Sequence, residues 1–412
     1  MPPPAKGPDE RTARFLREVF QRHYRSAALK APDRLRKREL AFLPFSGGMM
    51  QRHLGFTSLN DLRTHLVARV PGHAYYSSAY YERPGAPTME EKGWLGADLV
   101  FDLDADHLPG AKGMTYPQML AEVKRLFVRL LDEFLLGDLG VRESALLVVF
   151  SGGRGYHAHV RDPRVLSLGS HERREIVDYI TGKGIDMEDL IREKPIDAKE
   201  VRGAVRVTKT IRLPRSDEPG WRGRITLALE DWFLELWKKG REDAVAEIAA
   251  ATGASPRSVA SFYRRLFNDR DLPRERLLEK LREGIVEFLP TDSKEGLAAL
   301  RSIAERRGVP LKKGETDEPV TSDVKRLIRL PTSLHGKTGL EVIAMSRKAL
   351  DGFDPLRDAV PAAFSDAPVK VAVQQPIEVA IKSERFNLAS GVTEVPEYAA
   401  AFLACRGVAR VA

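Results

Sequence analysis

The sequence predicts a mixed α/β fold, α+β in arrangement, with a helical subdomain inserted into the core and a small β-rich section at the C-terminal end. Three observations predict it. Residues 97–160 read strand, helix, strand, turn, strand. Residues 171–314 change to a mainly helical, highly charged pattern. From Phe353 onward come Pro-bounded segments rich in Val and Ile. The core is therefore expected over 10–170 and 315–412, the insert over 171–314, and a disordered tail over 1–9. A chain of 412 residues is long for one core and suits more than one lobe.

The elements follow in order. Phe15, Leu16, Val19, Phe20 and Tyr24 recur at helical spacing, which predicts a helix from about Asp9 to Tyr24. A basic stretch, Arg34 to Glu39, runs into the apolar Leu40–Phe45 and then Ser46-Gly-Gly48. Ala74–Tyr81 is a short aromatic segment, strand or loop. Ala97–Asp104 alternates as a strand. Thr115 precedes an amphipathic helix whose stripe is Met119, Leu120, Val123, Leu126, Phe127, Leu130, Leu131 and Phe134. Leu146–Phe150 is a buried-type strand ended by Ser151-Gly-Gly-Arg-Gly155, and residues 156–160 make a second short strand. In the insert, loop punctuation falls at 214–223.

Composition bounds the function. Hydrophobic residues make up 43% and charged residues 30%, with a net charge of +8. This is a soluble globular composition that permits a nucleic-acid partner without requiring one. No apolar run approaches the ~20 residues of a membrane span, and MPPPAKGPDE has no apolar signal region. A cytoplasmic location is expected. Cys405 is the single cysteine, which excludes an internal disulfide and a Cys-rich zinc motif.

Three constellations carry chemistry. The first is Asp102-Leu-Asp104. On a strand, side chains at i and i+2 share a face. Asp98, Val100, Asp102 and Asp104 are expected on one face, open to a cleft, and Leu99, Phe101 and Leu103 on the core face. Carboxylates roughly 7 Å apart at Cα can converge on Mg²⁺ or Mn²⁺. Asp is a poor strand former, so two of them ending an apolar segment need a reason beyond an edge strand with solvated acids.

The second is Ser151-Gly-Gly-Arg-Gly-Tyr-His157-Ala-His159. Three glycines in five residues let the backbone approach a ligand, and successive N–H groups can form an anion nest. Arg154 offers a planar fork for phosphate. A nucleoside triphosphate suits Gly, Arg and His together; a plain Gly-rich turn is the simpler alternative. The third runs from Asp317-Glu-Pro-Val-Thr321 to Arg329-Leu-Pro-Thr-Ser-Leu-His335-Gly-Lys337-Thr-Gly339. Asp317 can be a third metal ligand, with Asp323 a competitor. Arg329, His335 and Lys337 can grip phosphates. No Walker A loop, dinucleotide fingerprint, hydrolase elbow or zincin helix is present.

Together these stretches resemble the small catalytic subunit of archaeal and eukaryotic DNA primases, most closely the archaeal branch. The match is carried, in family order, by Lys37–Phe42, by Tyr75–Tyr81 through Gly93–Asp106, by Ser151–His157 and by Arg326–Gly339. It runs from about residue 10 to the C-terminus, with 170–310 the least diagnostic. The resemblance implies that Asp102, Asp104 and Asp317 bind catalytic Mg²⁺ or Mn²⁺. It implies that Ser151, Arg154, His157, Arg329 and His335 hold the nucleotide's phosphates, with Glu39 and Arg52 contributing to nucleotide binding. It implies a primase core with an inserted helical subdomain, and a heterodimer with a large subunit that carries an iron–sulfur cluster. Many relatives carry a Cys/His zinc site after the Asp-x-Asp segment. Residues 107–118 here have no cysteine, so no structural zinc is expected.

The function expected is synthesis of short RNA, and potentially DNA, primers on single-stranded DNA from NTPs or dNTPs, by two-metal nucleotidyl transfer for DNA replication. The competing readings are a stand-alone repair polymerase of the same superfamily, an Asp-x-Asp glycosyltransferase and a non-catalytic DNA-binding subunit.

Overall fold

The computed structural model describes residues 9–45, 48–107, 113–201, 204–252, 255, 259, 274–286, 294–308 and 317–412. The chain divides into two compact units, Met1–Val177 with Gly314–Ala412, and Asp178–Lys313. The first eight residues of the expected tail lie outside the described residues. Asp9 does not belong to a tail: its carboxylate accepts from the Thr12 N–H at 2.9 Å and caps the helix α1, Glu10–Ser26. The stripe read from the sequence is the face that α1 buries, with Leu16, Val19, Phe20 and Tyr24 all sealed from solvent.

In the discontinuous unit the strands follow as β1 Leu40–Leu43, β2 Gln51–Leu54, β3 His73–Ser77, β4 Ala79–Tyr81, β5 Trp94–Ala97, β6 Leu99–Asp104, β7 Leu146–Phe150 and β8 Gly155–Val160. After the insert come β12 Leu327–Arg329 and β13 Ile343–Met345. Helix α2 spans Leu59–Arg69. Two four-stranded sheets form, ordered β12-β3-β1-β2 and β13-β7-β8-β6, and their strand pairs are antiparallel. The aromatic segment at 74–81 is two strands with a break at Ser78, whose N–H donates to the Arg326 carbonyl at 2.7 Å.

Helix α3, Tyr116–Arg129, opens with a Thr115/Gln118 capping box. Its stripe runs on through a π-helical stretch, Leu130–Asp138. Leu126, Phe127, Leu130, Leu131 and Phe134 are buried, each contributing about 1.5–3 kcal/mol of transfer free energy. Residues 368–411 supply Pro368–Val373, Gly391–Pro396 and Ala409–Val411 as a small sheet, and Ile377–Ile381 with Glu384–Leu388 as a hairpin. They also supply a helix, Glu397–Cys405, that the β-rich reading did not anticipate. Tyr398 and the run from Ala399 to Leu403 are buried.

A half-buried carboxyl of this unit has no ion pair among the described residues. Glu341 follows the Arg329–Gly339 run, and burial pushes its carboxyl from the ordinary 4.5 up to about 7, against a smaller opposing pull from Lys30. The unfolded chain loses this proton near 4.5 and the folded chain near 7. Stability is therefore greatest below the lower value and declines as pH rises through that window. Glu341→Gln should remove the decline, raising stability at pH 8 by on the order of 1–2 kcal/mol while leaving it unchanged at pH 4. Melting curves of both proteins across that range check it; parallel pH profiles would refute it.

The continuous unit contains the helices Trp221–Lys238, Arg241–Thr252, Arg274–Arg282 and Lys294–Gly308 around buried Ile225, Leu229, Trp232, Phe233 and Leu236. The helical reading missed a long antiparallel hairpin here, β9 Arg192–Val201 and β10 Ala204–Arg212. Its second strand alternates Val205, Val207 and Ile211 around Thr and Arg, which is period-two, β-branched sequence inside an otherwise helix-favouring segment.

Candidate active site

The acid pair sits where the sequence placed it, for a partly different reason. Leu99, Val100, Phe101 and Leu103 are all buried, while Asp102 and Asp104 are half-buried. Both faces of β6 are therefore covered along its first half, and only its last acids open outward. Asp98 is corrected: it precedes β6, is fully buried, and binds Arg38 at 2.6 Å and the Tyr80 hydroxyl at 2.7 Å. It faces no cleft.

Strand pairing joins the first two constellations. The antiparallel register of β6 with β8 sets Asp102 opposite His157 and Asp104 opposite Gly155. His157 Nε2 lies 3.4 Å from Asp102 Oδ1. Burial nonetheless lowers the imidazole to about 4, so it is neutral near pH 7. A neutral ring facing a carboxylate carries its proton on Nε2 and donates it, which leaves Nδ1 as a buried acceptor, and that atom has no partner among the described residues. His159, on the same face, is buried and stacks on Tyr76, whose hydroxyl lies 3.3 Å from its Nδ1.

The glycine turn serves packing more than an open nest. A Cβ on Gly155 would stand 2.4 Å from the Leu103 carbonyl oxygen, and one on Gly152, at φ +74°, 2.8 Å from His335 Cβ. Ser151 Oγ accepts from the N–H groups of Gly153 and Gly155, both at 3.3 Å. Two N–H groups of the expected nest are thus already bonded, and the Ser151 hydroxyl hydrogen is what the turn offers a ligand. Arg154, half-buried, pairs with Asp106 and approaches Asp104 at 4.0 Å.

The third constellation docks on the second. The Asp317 N–H donates to the Asp102 carbonyl at 3.2 Å, so the third acid begins beside the first. Asp323 accepts from the Lys325 N–H at 2.8 Å and serves its own turn. His335 packs against Gly152 and Gly153, and the Thr338 hydroxyl donates to the Gly152 carbonyl. Arg329 is mostly enclosed. It lies over the Tyr75 ring at 4.6 Å and reaches His73 Nδ1, which also accepts from the Gly336 N–H at 3.2 Å. Burial and the neighbouring Arg329 push His73 down to about 3. Burial likewise holds His335 far below its ordinary range, with Arg329 adding to the shift. The histidines of this site are therefore neutral hydrogen-bonding groups, and its positive charge comes from Arg and Lys.

Asp104, Gly153, Arg154, Arg329, His335 and Thr338 are among the residues that line a cavity of about 450 Å³. Arg154, Arg329, Lys337 and Arg406 meet only Asp104 and Asp106 on its wall. Among the described residues Arg329, Lys337 and Arg406 have no carboxylate partner. A concave site with excess unpaired cations calls for a polyanion. Glu39 is also accounted for: fully buried, it accepts from Lys92 at 2.9 Å, Arg52 Nε at 3.1 Å and the His53 N–H at 3.1 Å. It braces Arg52 and offers no free oxygen to a nucleotide.

A metal is implied by the acids. Asp102, Asp104 and Asp317 are an all-oxygen set, the choice of hard cations such as Mg²⁺ or Mn²⁺. Their neighbouring backbones and the outward aspect of Asp102 and Asp104 fit such an ion. Among the described residues no three His, Cys, Asp or Glu side chains already converge as a metal cage. Residues 108–112 of the cysteine-free segment lie outside the described residues. No described helix is long and apolar enough to cross a membrane.

Sequence reasoning missed Tyr116, Asp106, His73 and Arg406. Tyr116 was visible only as a helix start; its hydroxyl donates to the Gly153 carbonyl at 2.6 Å. Arg406 had no local signal at all.

Comparison with known proteins agrees in one direction. The family described as DNA primase small subunit matches residues 101–346. The DNA primase small subunit PriS of Methanothrix thermoacetophila is 42% identical over 406 residues, covering 98% of this chain and 100% of that protein. That of Methanococcoides burtonii is 42% identical, covering 97% and 99%, and that of Halobacterium salinarum 40% identical, covering 98% and 99%.

Proposed function

Because the chain belongs to the DNA primase small-subunit family, and is a primase, a nucleotidyltransferase serving DNA replication, we propose how its residues run that chemistry. Asp102, Asp104 and Asp317 hold Mg²⁺ or Mn²⁺. When bound, the ions supply Lewis-acid activation of the attacking 3′-hydroxyl and neutralise the leaving pyrophosphate. Arg154, Arg329 and Lys337 bind the triphosphate as charges, and Ser151, His157 and His335 as neutral hydrogen-bonding groups. Neutral His157 also fixes the Asp102 carboxylate through Nε2–H. The 3′-oxygen bonds to the α-phosphorus while the α–β bridge breaks, so positioning and fixed charge carry most of the rate.

Supporting this reading above all is the β6–β8 register, which sets the acid pair against the Ser-Gly-Gly-Arg-Gly turn beside a cavity of excess positive charge. The substrates proposed are NTPs, and dNTPs where tolerated, on a single-stranded DNA template gripped through phosphates and so weakened by salt. The partner proposed is a primase large subunit, in a heterodimer. No structural zinc is proposed.

The test is synthesis on unprimed single-stranded DNA with Mg²⁺ or Mn²⁺ and labelled nucleotides, with and without an archaeal primase large subunit. Wild type should give short products, and Asp102→Ala/Asp104→Ala should give none. Unchanged products from the double variant would overturn the metal assignment. Extension of supplied primers without any initiation, even with the partner, would favour the repair-polymerase reading.

A further inference from the structure

We infer that Arg406, from the C-terminal section, binds the distal phosphates of the incoming nucleotide. The inference rests on the reading above, and its evidence is separate from the motifs that carry that reading.

Arg406 caps the C-terminal end of the helix Glu397–Cys405. Its guanidinium lies over the Tyr116 ring at 4.4 Å and the Phe402 ring at 5.3 Å. These two rings fix the plane and direction of the fork. Tyr116 is itself fixed by its hydroxyl bond to the Gly153 carbonyl, so Arg406 is referenced to the glycine turn. Yet the head group has neither a carboxylate nor a hydrogen-bond acceptor among the described residues. Arginines that serve only the fold look different in this chain. Arg38 makes bonds to four carbonyl and hydroxyl oxygens and a carboxylate, and Arg173 to carbonyls. A positioned, partly enclosed fork with all its donors free is a binding group awaiting an anion.

Its surroundings say which anion. Arg406 shares the cavity with Arg154, Arg329 and Lys337; burial lowers its pKa, and the like charge of Arg154 adds a smaller push in the same direction. Holding like charges around one space is unfavourable until an anion enters it. The position says which end of the triphosphate. The α-phosphate must lie at the acids, where the bond forms. Asp104 lines the cavity, and among the described residues Arg154 approaches it at 4.0 Å while Arg406 makes no ion pair with it, so Arg406 is left for the β- and γ-phosphates.

The experiment compares wild type with Arg406→Met, which keeps the stem on the rings without charge, and Arg406→Lys, which keeps charge without the fork. With the large subunit present, Arg406→Met should raise the nucleotide KM at least about tenfold, the loss of one charge-assisted contact, with a much smaller change in kcat. Inhibition by inorganic tripolyphosphate should weaken by a similar factor, and inhibition by a nucleoside monophosphate should not change. Arg406→Lys should fall between. Unaltered KM and tripolyphosphate inhibition in a folded Arg406→Met protein, with Asp104→Asn inactive, would make Arg406 a packing residue and leave the primase reading standing. Full activity of Asp104→Asn would instead remove the underlying reading. If Arg406→Met does not fold, the Arg406→Lys comparison decides by the same two ratios.

Discussion

Asp104→Asn is expected to lower primer synthesis by about 10³-fold or more, roughly 4 kcal/mol of transition-state stabilisation, without lowering the melting temperature. The asymmetry follows from what the side chain does in the fold. Asp104 is half-buried at the end of β6, and its carboxylate accepts from the Asp106 N–H at 3.0 Å. Asparagine keeps that acceptor and loses the charge. Removing one of two neighbouring carboxylates also relieves repulsion in the metal-free protein, so stability should hold or rise. Asp102→Asn should behave alike in rate, since its remaining oxygen still accepts from His157. Binding of Mn²⁺, followed by the paramagnetic signal of the free ion, should weaken in both variants. Normal Mn²⁺ affinity together with lost activity would mean that these acids act other than as ligands.

The second large effect is on stability. Asp98→Ala should lower the melting temperature by on the order of 10 °C, the equivalent of about 3–5 kcal/mol. Arg38 is 1% exposed and Asp98 0%. Arg38 lies over the Tyr80 ring at 3.7 Å, and the Tyr80 hydroxyl donates to Asp98. Deleting the carboxylate leaves a guanidinium charge sealed from water, which costs far more than the net worth of the pair. Arg38→Met combined with Asp98→Leu should recover much of the loss, because two apolar side chains leave no orphaned charge. A drop under about 2 °C for Asp98→Ala would show that water reaches the pair.

What the sequence made legible was whatever depends on neighbours along the chain. The α1 stripe, the β6 and β7 strands, the capped helix at 116 and the three chemical runs were all readable from spacing. What it hid depends on neighbours in space. Asp98 shares the parity of Asp102 and Asp104, and only the interruption of strand geometry between β5 and β6 separates it from them. Ser151 was legible as a site residue, but not that its oxygen also accepts from two local N–H groups. Glu39 entered only through the resemblance, and nothing in its stretch announced the two cations that hold it. The β9–β10 hairpin was lost because its charged residues diluted a period-two pattern. Arg406 follows an unremarkable helix, and nothing in its own stretch points across the fold to Tyr116.

The discontinuous unit also sets a clock. The Val411 N–H donates to the Thr12 hydroxyl across 399 positions of sequence, and Arg22 pairs with Glu397 across 375. At about 5–20 residues per second of synthesis, the first helix waits roughly 20–80 seconds for the C-terminal segments that complete its cover, which Leu59–Arg69 begins. During that wait the face bearing Leu16, Val19, Phe20 and Tyr24 is a sticky, half-built surface on a nascent chain. The continuous unit at 178–313 can mature while its host is still open. Newly made chains should therefore meet chaperones through their earliest helix, and slowing translation near the end of the message should lower the yield of finished protein more than slowing it within the insert.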